Sequence, residues 1–267
     1  MKYKRLIVNG CSYTACDGDG VTPEIDGWPA VLGEKLGAEV TNIRIDEKKF
    51  SKFLPGPSTA GGSNDRIIRT TLGWVSQLWP WKERELKKQI ITKNFKDSLF
   101  IIGWTEFTRF EMFSNLTKQY LRSSKIRHRE WKKEFLNEND QFRKYLEQII
   151  FLQSWFEAHE ISYLFFDALE NLLSPLCKEY RKNNSNLFQL VNLDNWVYSK
   201  GHYWSCKSYL ETLCDTKDIL SGLTISDRPL KETIYKGQFG LLRGHPNILG
   251  NKKWAEVLYE NIRTKKI

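Results

Sequence analysis

The sequence contains no run approaching the roughly 18 consecutive apolar residues that a membrane-spanning helix requires, so a helical membrane protein is not expected. Its five cysteines (Cys11, Cys16, Cys177, Cys206 and Cys214) are odd in number and form no C-x-x-C pair. That pattern argues against a disulfide framework and against a zinc site. The N-terminal Met-Lys-Tyr-Lys-Arg is basic, but the apolar stretch behind it is only as long as a strand, too short for the core of a secretory signal. The expectation is a soluble, cytoplasmic protein. There is no internal repeat and no linker clear enough to split the chain, so residues 1–267 read as one domain. Acidic residues are outnumbered, 32 against 41 Lys and Arg, for a net charge of +9. The surplus gathers in stretches such as Lys118 to Glu134. A basic surface can attract nucleic acid or an anionic substrate. No nucleic-acid motif accompanies it, so a solvated helix face is preferred and a nucleic-acid partner stays open without being favoured.

Aromatic residues are plentiful at 13%, with ten Trp, and a chain of this length can bury a large core. Leu6 to Val8 reads as a buried strand that breaks into "GCSYT". "GWPAVLGEKLG" (Gly27 to Gly37) reads as a short helix ending on glycine, and "AEVTNIRI" alternates like a second strand. A helix is expected from Asn64 to Arg66 onward, with Ile67, Ile68, Leu72 and Val75 at helical spacing. Leu99 to Ile102 is a third strand. A long polar-aromatic helical stretch is expected behind it, whose last part carries Phe142, Leu146, Ile149, Ile150 and Phe156 on one face. "SYLFFDAL" is a fourth strand, and the chain closes on a helix with Trp254, Val257, Leu258 and Ile262 on its apolar face. Strands alternating with helices imply an α/β fold with a parallel sheet covered on both faces. Residues 172–240 show no clean period and read as an embedded insertion or lid before the C-terminal His block.

In such sheets the loops at the carboxyl ends of the strands line the ligand crevice. Three polar blocks fall there, Gly10-Cys11-Ser12-Tyr13-Thr14, Gly61-Gly62-Ser63-Asn64-Asp65 and Gly103-Trp104-Thr105-Glu106, and a fourth, Gly244-His245-Pro246-Asn247, comes just before the last helix. A serine nucleophile needs a base for its proton and donors for the developing oxyanion. Glycines let backbone N–H groups approach that oxygen, and a histidine can act as the base. Ser12 is therefore read as the nucleophile rather than a capping residue, and His245 as its base. Cys11 is the weaker alternative nucleophile. In "RFE", Arg109 and Glu111 read as a local ion pair; the other reading has Arg109 point into the crevice and hold an acidic group on the substrate, with Glu106 as a second substrate-binding candidate. His128 and His159 fall in charged helical surroundings, and His202 in an exposed loop.

These blocks, in this order, resemble the SGNH, or GDSL-type, hydrolases, closest to the divergent members common in bacteriophage genomes. The resemblance spans residues 6 to about 260 and leaves 115–145 and 172–240 unexplained. It implies a flavodoxin-like three-layer sandwich and a serine esterase: Ser12 forms an acyl-enzyme, His245 is the base, and Ser12, Gly62, Asn64 and Thr105 surround the oxyanion. No cofactor and no metal are implied. The substrate it suggests is an O-acetyl or similar ester of a carbohydrate or other small polar molecule. Two departures stand out. Thr105 occupies the place of the family's asparagine. Leu242 occupies the place of the aspartate three residues before the histidine, which orients the imidazole. Asp167 is the expected replacement, with Asp227, Asp17 and Glu106 as alternatives, or a dyad leaning on a backbone carbonyl. An acyltransferase using the same site is the second reading. The third is a catalytically degenerate binding protein for polysaccharide or nucleic acid.

Overall fold

The computed structural model describes residues 2–16, 21–44, 63–77, 94–109, 111–114, 119–122, 137–169, 172–199, 201–203, 205–212, 245–246 and 248–265. Four strands, β1 (Arg5–Gly10), β2 (Glu39–Asn42), β3 (Ser98–Trp104) and β6 (Ser162–Asp167), form one all-parallel sheet in the order β2-β1-β3-β6. The register pairs Val8 with Ile101 and Gly10 with Gly103, and on the next edge Trp104 with Asp167. Every residue of β3 is buried. That accounts for its unbroken apolar run, since a strand covered on both faces has no solvent side to alternate with.

Helices cover both faces. Leu6, Val8, Leu99, Ile101, Leu164 and Phe166 share one core with Trp28, Leu32 and Leu36 of α2 (Trp28–Leu36). The same core takes in Trp254, Val257 and Leu258 of the C-terminal helix (Ile248–Lys265). On the other face Ile7, Phe100, Ile102, Trp104 and Phe165 pack with Ile67 and Val75 of α3 (Asn64–Gln77). Phe142, Leu146, Ile149 and Phe156 of α4 (Glu138–Ala158) complete that second core. The architecture is the expected three-layer α/β sandwich. α2 ends as its sequence signals, on Gly37 at φ +61°, in the left-handed region that glycine enters without a Cβ penalty.

One expectation needs correction. Behind β3, part of the stretch expected to be helical is an antiparallel pair, β4 (Glu111–Ser114) with β5 (Gln119–Arg122). The helix starts only at Glu138, where the Asn137 side chain accepts from the Asn139 N–H; aromatic and polar residues mixed without an apolar stripe give no 3.6-residue period to distinguish helix from hairpin. The described first part of the 172–240 segment is embedded in the domain. Leu172, Cys177, Val191 and Trp196 are buried in the α3/α4 core. Gln153 of α4 holds it at both ends of its side chain, donating to the Leu190 carbonyl and accepting from the Asn192 N–H at 2.7 Å. Trp196 bridges Phe165 in parallel, and the Val197 N–H donates to the Phe165 carbonyl at 2.9 Å, which extends the sheet beyond β6. Residues 213–240 lie outside the described residues.

β1 and β3 meet at Gly10 and Gly103 with no room between them. A Cβ on Gly10 would lie 2.2 Å from Thr14 Oγ1 and 2.8 Å from the Gly103 carbonyl oxygen. Gly10→Ala is expected to lower stability by about 1–3 kcal/mol, the usual cost of overpacking, measured by urea unfolding. Adding Thr14→Ala should restore only part of it, because the Gly103 carbonyl is backbone and does not move aside.

Candidate functional site

The order in which the strands are laid down reverses at the β1/β3 boundary. β2 lies to one side of β1 and β3 to the other, so the carboxyl ends of β1 and β3 flank the switch point where such folds bind ligands. Immediately past Gly10, Cys11 stands in extended backbone as the N-cap of α1 (Ser12–Ala15), and no side chain caps that helix. Ser12 is its first residue, half-buried. The serine therefore does not act as the helix cap. The short helix closes on Cys16, at φ +55°, whose N–H returns to the Ser12 carbonyl.

Buried asparagines tie this turn to its surroundings. Asn9, the penultimate residue of β1, donates to the Ile67 carbonyl and to the hydroxyls of Thr70 and Thr71 on α3, and accepts from the Gly10 N–H at 2.8 Å. Asn42, at the end of β2, donates to the Thr14 carbonyl at 2.8 Å. Asn251, in the C-terminal helix, accepts from the Trp28 N–H at 3.1 Å and from the Cys16 thiol at 3.3 Å, and donates to the Pro246 carbonyl at 2.9 Å. The Trp28 indole donates to the Tyr13 carbonyl. Arg66 is fully buried, its guanidinium on the Gly10 carbonyl. None of Asn9, Asn42, Arg66 and Asn251 was singled out from sequence. The one available signal was polarity in the wrong place, such as an asparagine directly behind an apolar strand run.

His245 and the serine turn meet. The His245 ring lies edge-on to the Tyr13 ring with centroids 5.6 Å apart, and Asn251 holds the carbonyl of the next residue, Pro246. Among the described residues no hydrogen bond joins Ser12 to His245. Asn64 is buried at the start of α3, accepts from the Thr105 N–H at 3.0 Å and makes longer contacts to the Thr105 and Glu106 carbonyls. Its amide thus fixes the loop behind β3. Thr105 is buried, and its hydroxyl makes no hydrogen bond. Arg109 Nε lies 3.1 Å from Glu106 Oε2, so its ion pair is with Glu106. Gly62, Asp17, Asp227 and Leu242 lie outside the described residues.

Asp167 is brought to other partners. It accepts from the Tyr145 hydroxyl of α4 with one oxygen and from the Leu172 N–H at 2.6 Å with the other. That engages its carboxylate on the α4 face of the sheet, whereas His245 meets Tyr13 edge-on, and Tyr13 belongs to the core on the α2 face. The acid role expected of Asp167 gains no geometric support. Cys11, the alternative nucleophile, is fully buried; burial pushes its thiol up, with Arg109, Arg66 and Arg44 pulling it back only in part. A buried, protonated thiol is a poor nucleophile. Among the described residues no group of three His, Cys, Asp or Glu side chains could hold a metal ion, and no helix is long and apolar enough to cross a membrane.

Residues 18–213 match the family of unknown function DUF6071, and the chain belongs to that family. No curated protein matches the chain, and no solved structure does. The matched span takes in Asn64, Thr105, Arg109 and Asp167, and leaves Ser12 and His245 on either side of it.

Asn251→Ala is expected to cost about 2–4 kcal/mol in urea unfolding, because the Trp28 N–H and the Pro246 carbonyl both lose buried partners. Iodoacetamide at mildly alkaline pH should leave Cys11 unmodified in the native protein and alkylate it in urea, read by peptide mass mapping.

Proposed function

We propose that the protein is a serine esterase of SGNH type, acting on carboxylic esters of small polar or carbohydrate molecules. The observation that carries the reading is the packing of His245 on Tyr13, the residue next to Ser12. Blocks from opposite ends of the chain thereby share the β1/β3 switch point. The uncapped position of Ser12 at the start of α1 is in keeping with it, since the hydroxyl is not consumed by the helix.

In this reading Ser12 Oγ attacks the acyl carbonyl while His245 takes its proton. The proton passes to the leaving alkoxide as the carbon–oxygen bond breaks. Water then attacks the acyl-enzyme with His245 again as base, releasing the acid and restoring Ser12. The Ser12 N–H and the Thr105 hydroxyl are the donors to the oxyanion, Thr105 because its buried hydroxyl has no other partner. Asn64 serves by fixing the backbone at Thr105 and Glu106 rather than by donating itself. Asp167 is engaged by Tyr145 and Leu172, and of the other carboxylates expected to orient the base Asp17 and Asp227 lie outside the described residues.

The test is release of p-nitrophenol from its acetate ester. The wild-type protein should turn over the ester, and Ser12→Ala and His245→Ala should each lose about 100-fold or more. A fluorophosphonate probe should label Ser12. Turnover that survives both substitutions, or no labelling of Ser12, would sink the reading.

A further inference from the structure

Two buried residues join the turn that carries Ser12 to the segment that carries His245. Trp28, the first residue of α2, donates its indole N–H to the Tyr13 carbonyl at 3.1 Å and its backbone N–H to the Asn251 side-chain oxygen at 3.1 Å. The Asn251 amide in turn donates to the Pro246 carbonyl at 2.9 Å. The chain of hydrogen bonds therefore runs from the residue after Ser12 to the residue after His245. The Cys16 thiol, at the far end of α1, donates to the same Asn251 oxygen at 3.3 Å. Tyr13, Cys16, Trp28 and Asn251 are all buried. There is little slack beside them: a Cβ on Gly27, the residue before Trp28, would lie 2.8 Å from Cys16 Sγ and 2.5 Å from the Pro23 carbonyl oxygen.

We propose that Trp28 and Asn251 are positioning residues that set where the His245 ring stands relative to Ser12. The assignment rests on the esterase reading for the reaction, and neither residue touches the substrate in it. A base takes a proton from a hydroxyl only within hydrogen-bond reach, and these two groups come from opposite ends of the chain. The Tyr13 ring meets the His245 ring edge-on with centroids 5.6 Å apart, so a shift of either backbone segment moves one ring against the other. The Trp28 indole holds the backbone on the Tyr13 side, and the Asn251 amide holds it on the His245 side. Misplacing a reacting group by about 1 Å can cost on the order of 100-fold in rate. An asparagine that only satisfied buried polar groups would change the stability of the fold and leave the rate of the folded molecule alone.

The experiment uses Asn251→Ala and Trp28→Phe, the second of which keeps an aromatic ring and the backbone N–H and removes only the indole donor. Each is assayed with p-nitrophenyl acetate at a temperature where circular dichroism shows it folded. Each should lose about tenfold or more in kcat with KM changed far less. Added imidazole should restore part of the lost rate, as it should in His245→Ala, because a free base replaces a ring no longer held at Ser12. A second readout needs no turnover: the nuclear Overhauser effect between the Tyr13 and His245 rings, present in the wild-type protein, should weaken in both variants. Folded variants that keep kcat and the ring-to-ring signal would overturn the proposal, as would a fall in kcat with that signal intact and no response to imidazole. Loss of the signal in the variants, with no ester turned over by the wild-type protein, would uphold the bridge and remove the esterase reading.

Discussion

The structure depends on how the carboxyl edge of the parallel sheet ends. A strand that stops at a sharp turn leaves backbone N–H and C=O groups that the ladder no longer pairs, and buried groups of that kind are costly unless bonded. Here side-chain amides take over. Asn9 pairs the Gly10 N–H and reaches three acceptors on α3, Asn42 holds the Thr14 carbonyl, and Asn64 holds the Thr105 N–H. Asn251 does the same between the C-terminal helix, Trp28 and Pro246. Each amide both donates and accepts, so one side chain can join two elements that the backbone cannot join directly.

This arrangement brings together segments far apart in the chain. The contact of Gly10 with Gly103 brings the ends of β1 and β3 together, and the Asn251 clamp draws the residue after His245 toward α2 and the serine turn. Rigid support of that kind is what a site needs if its reacting groups are to meet in one geometry. The electrostatics follow the same logic. Arg66 is admitted into the interior because the Gly10 carbonyl accepts from it, and its charge acts where burial keeps water from screening it.

The fold was largely legible from local pattern. Continuous apolar runs at Leu6–Val8 and Leu99–Ile102 marked strands covered on both sides, and Gly37 marked a helix end. Where the pattern failed, the physical signal was absent. The β4–β5 pair lies in a mixed polar-aromatic stretch without a period. The 172–199 segment owes its place to long-range contacts, such as Gln153 with Leu190 and Asn192, that no local window contains. Asp167 shows the limit at the level of the site. Its position at a strand end was readable, but the direction of its carboxylate was set by Tyr145, 22 residues away.

The sequence by itself determined that the chain is an α/β sandwich and that Ser12, Asn64 and Thr105 follow strand ends on one edge of it, because strand periodicity and strand direction decide which loops share an edge. Only the tertiary structure decided which of those residues are engaged elsewhere. It assigned Asn64 to the backbone of the loop behind β3, Asp167 to α4, and Arg66 to the Gly10 carbonyl. The reason is that a hydrogen bond depends on the position and direction of two groups at once. Sequence spacing supplies that only within a turn or a helix, and these partners come from separate elements.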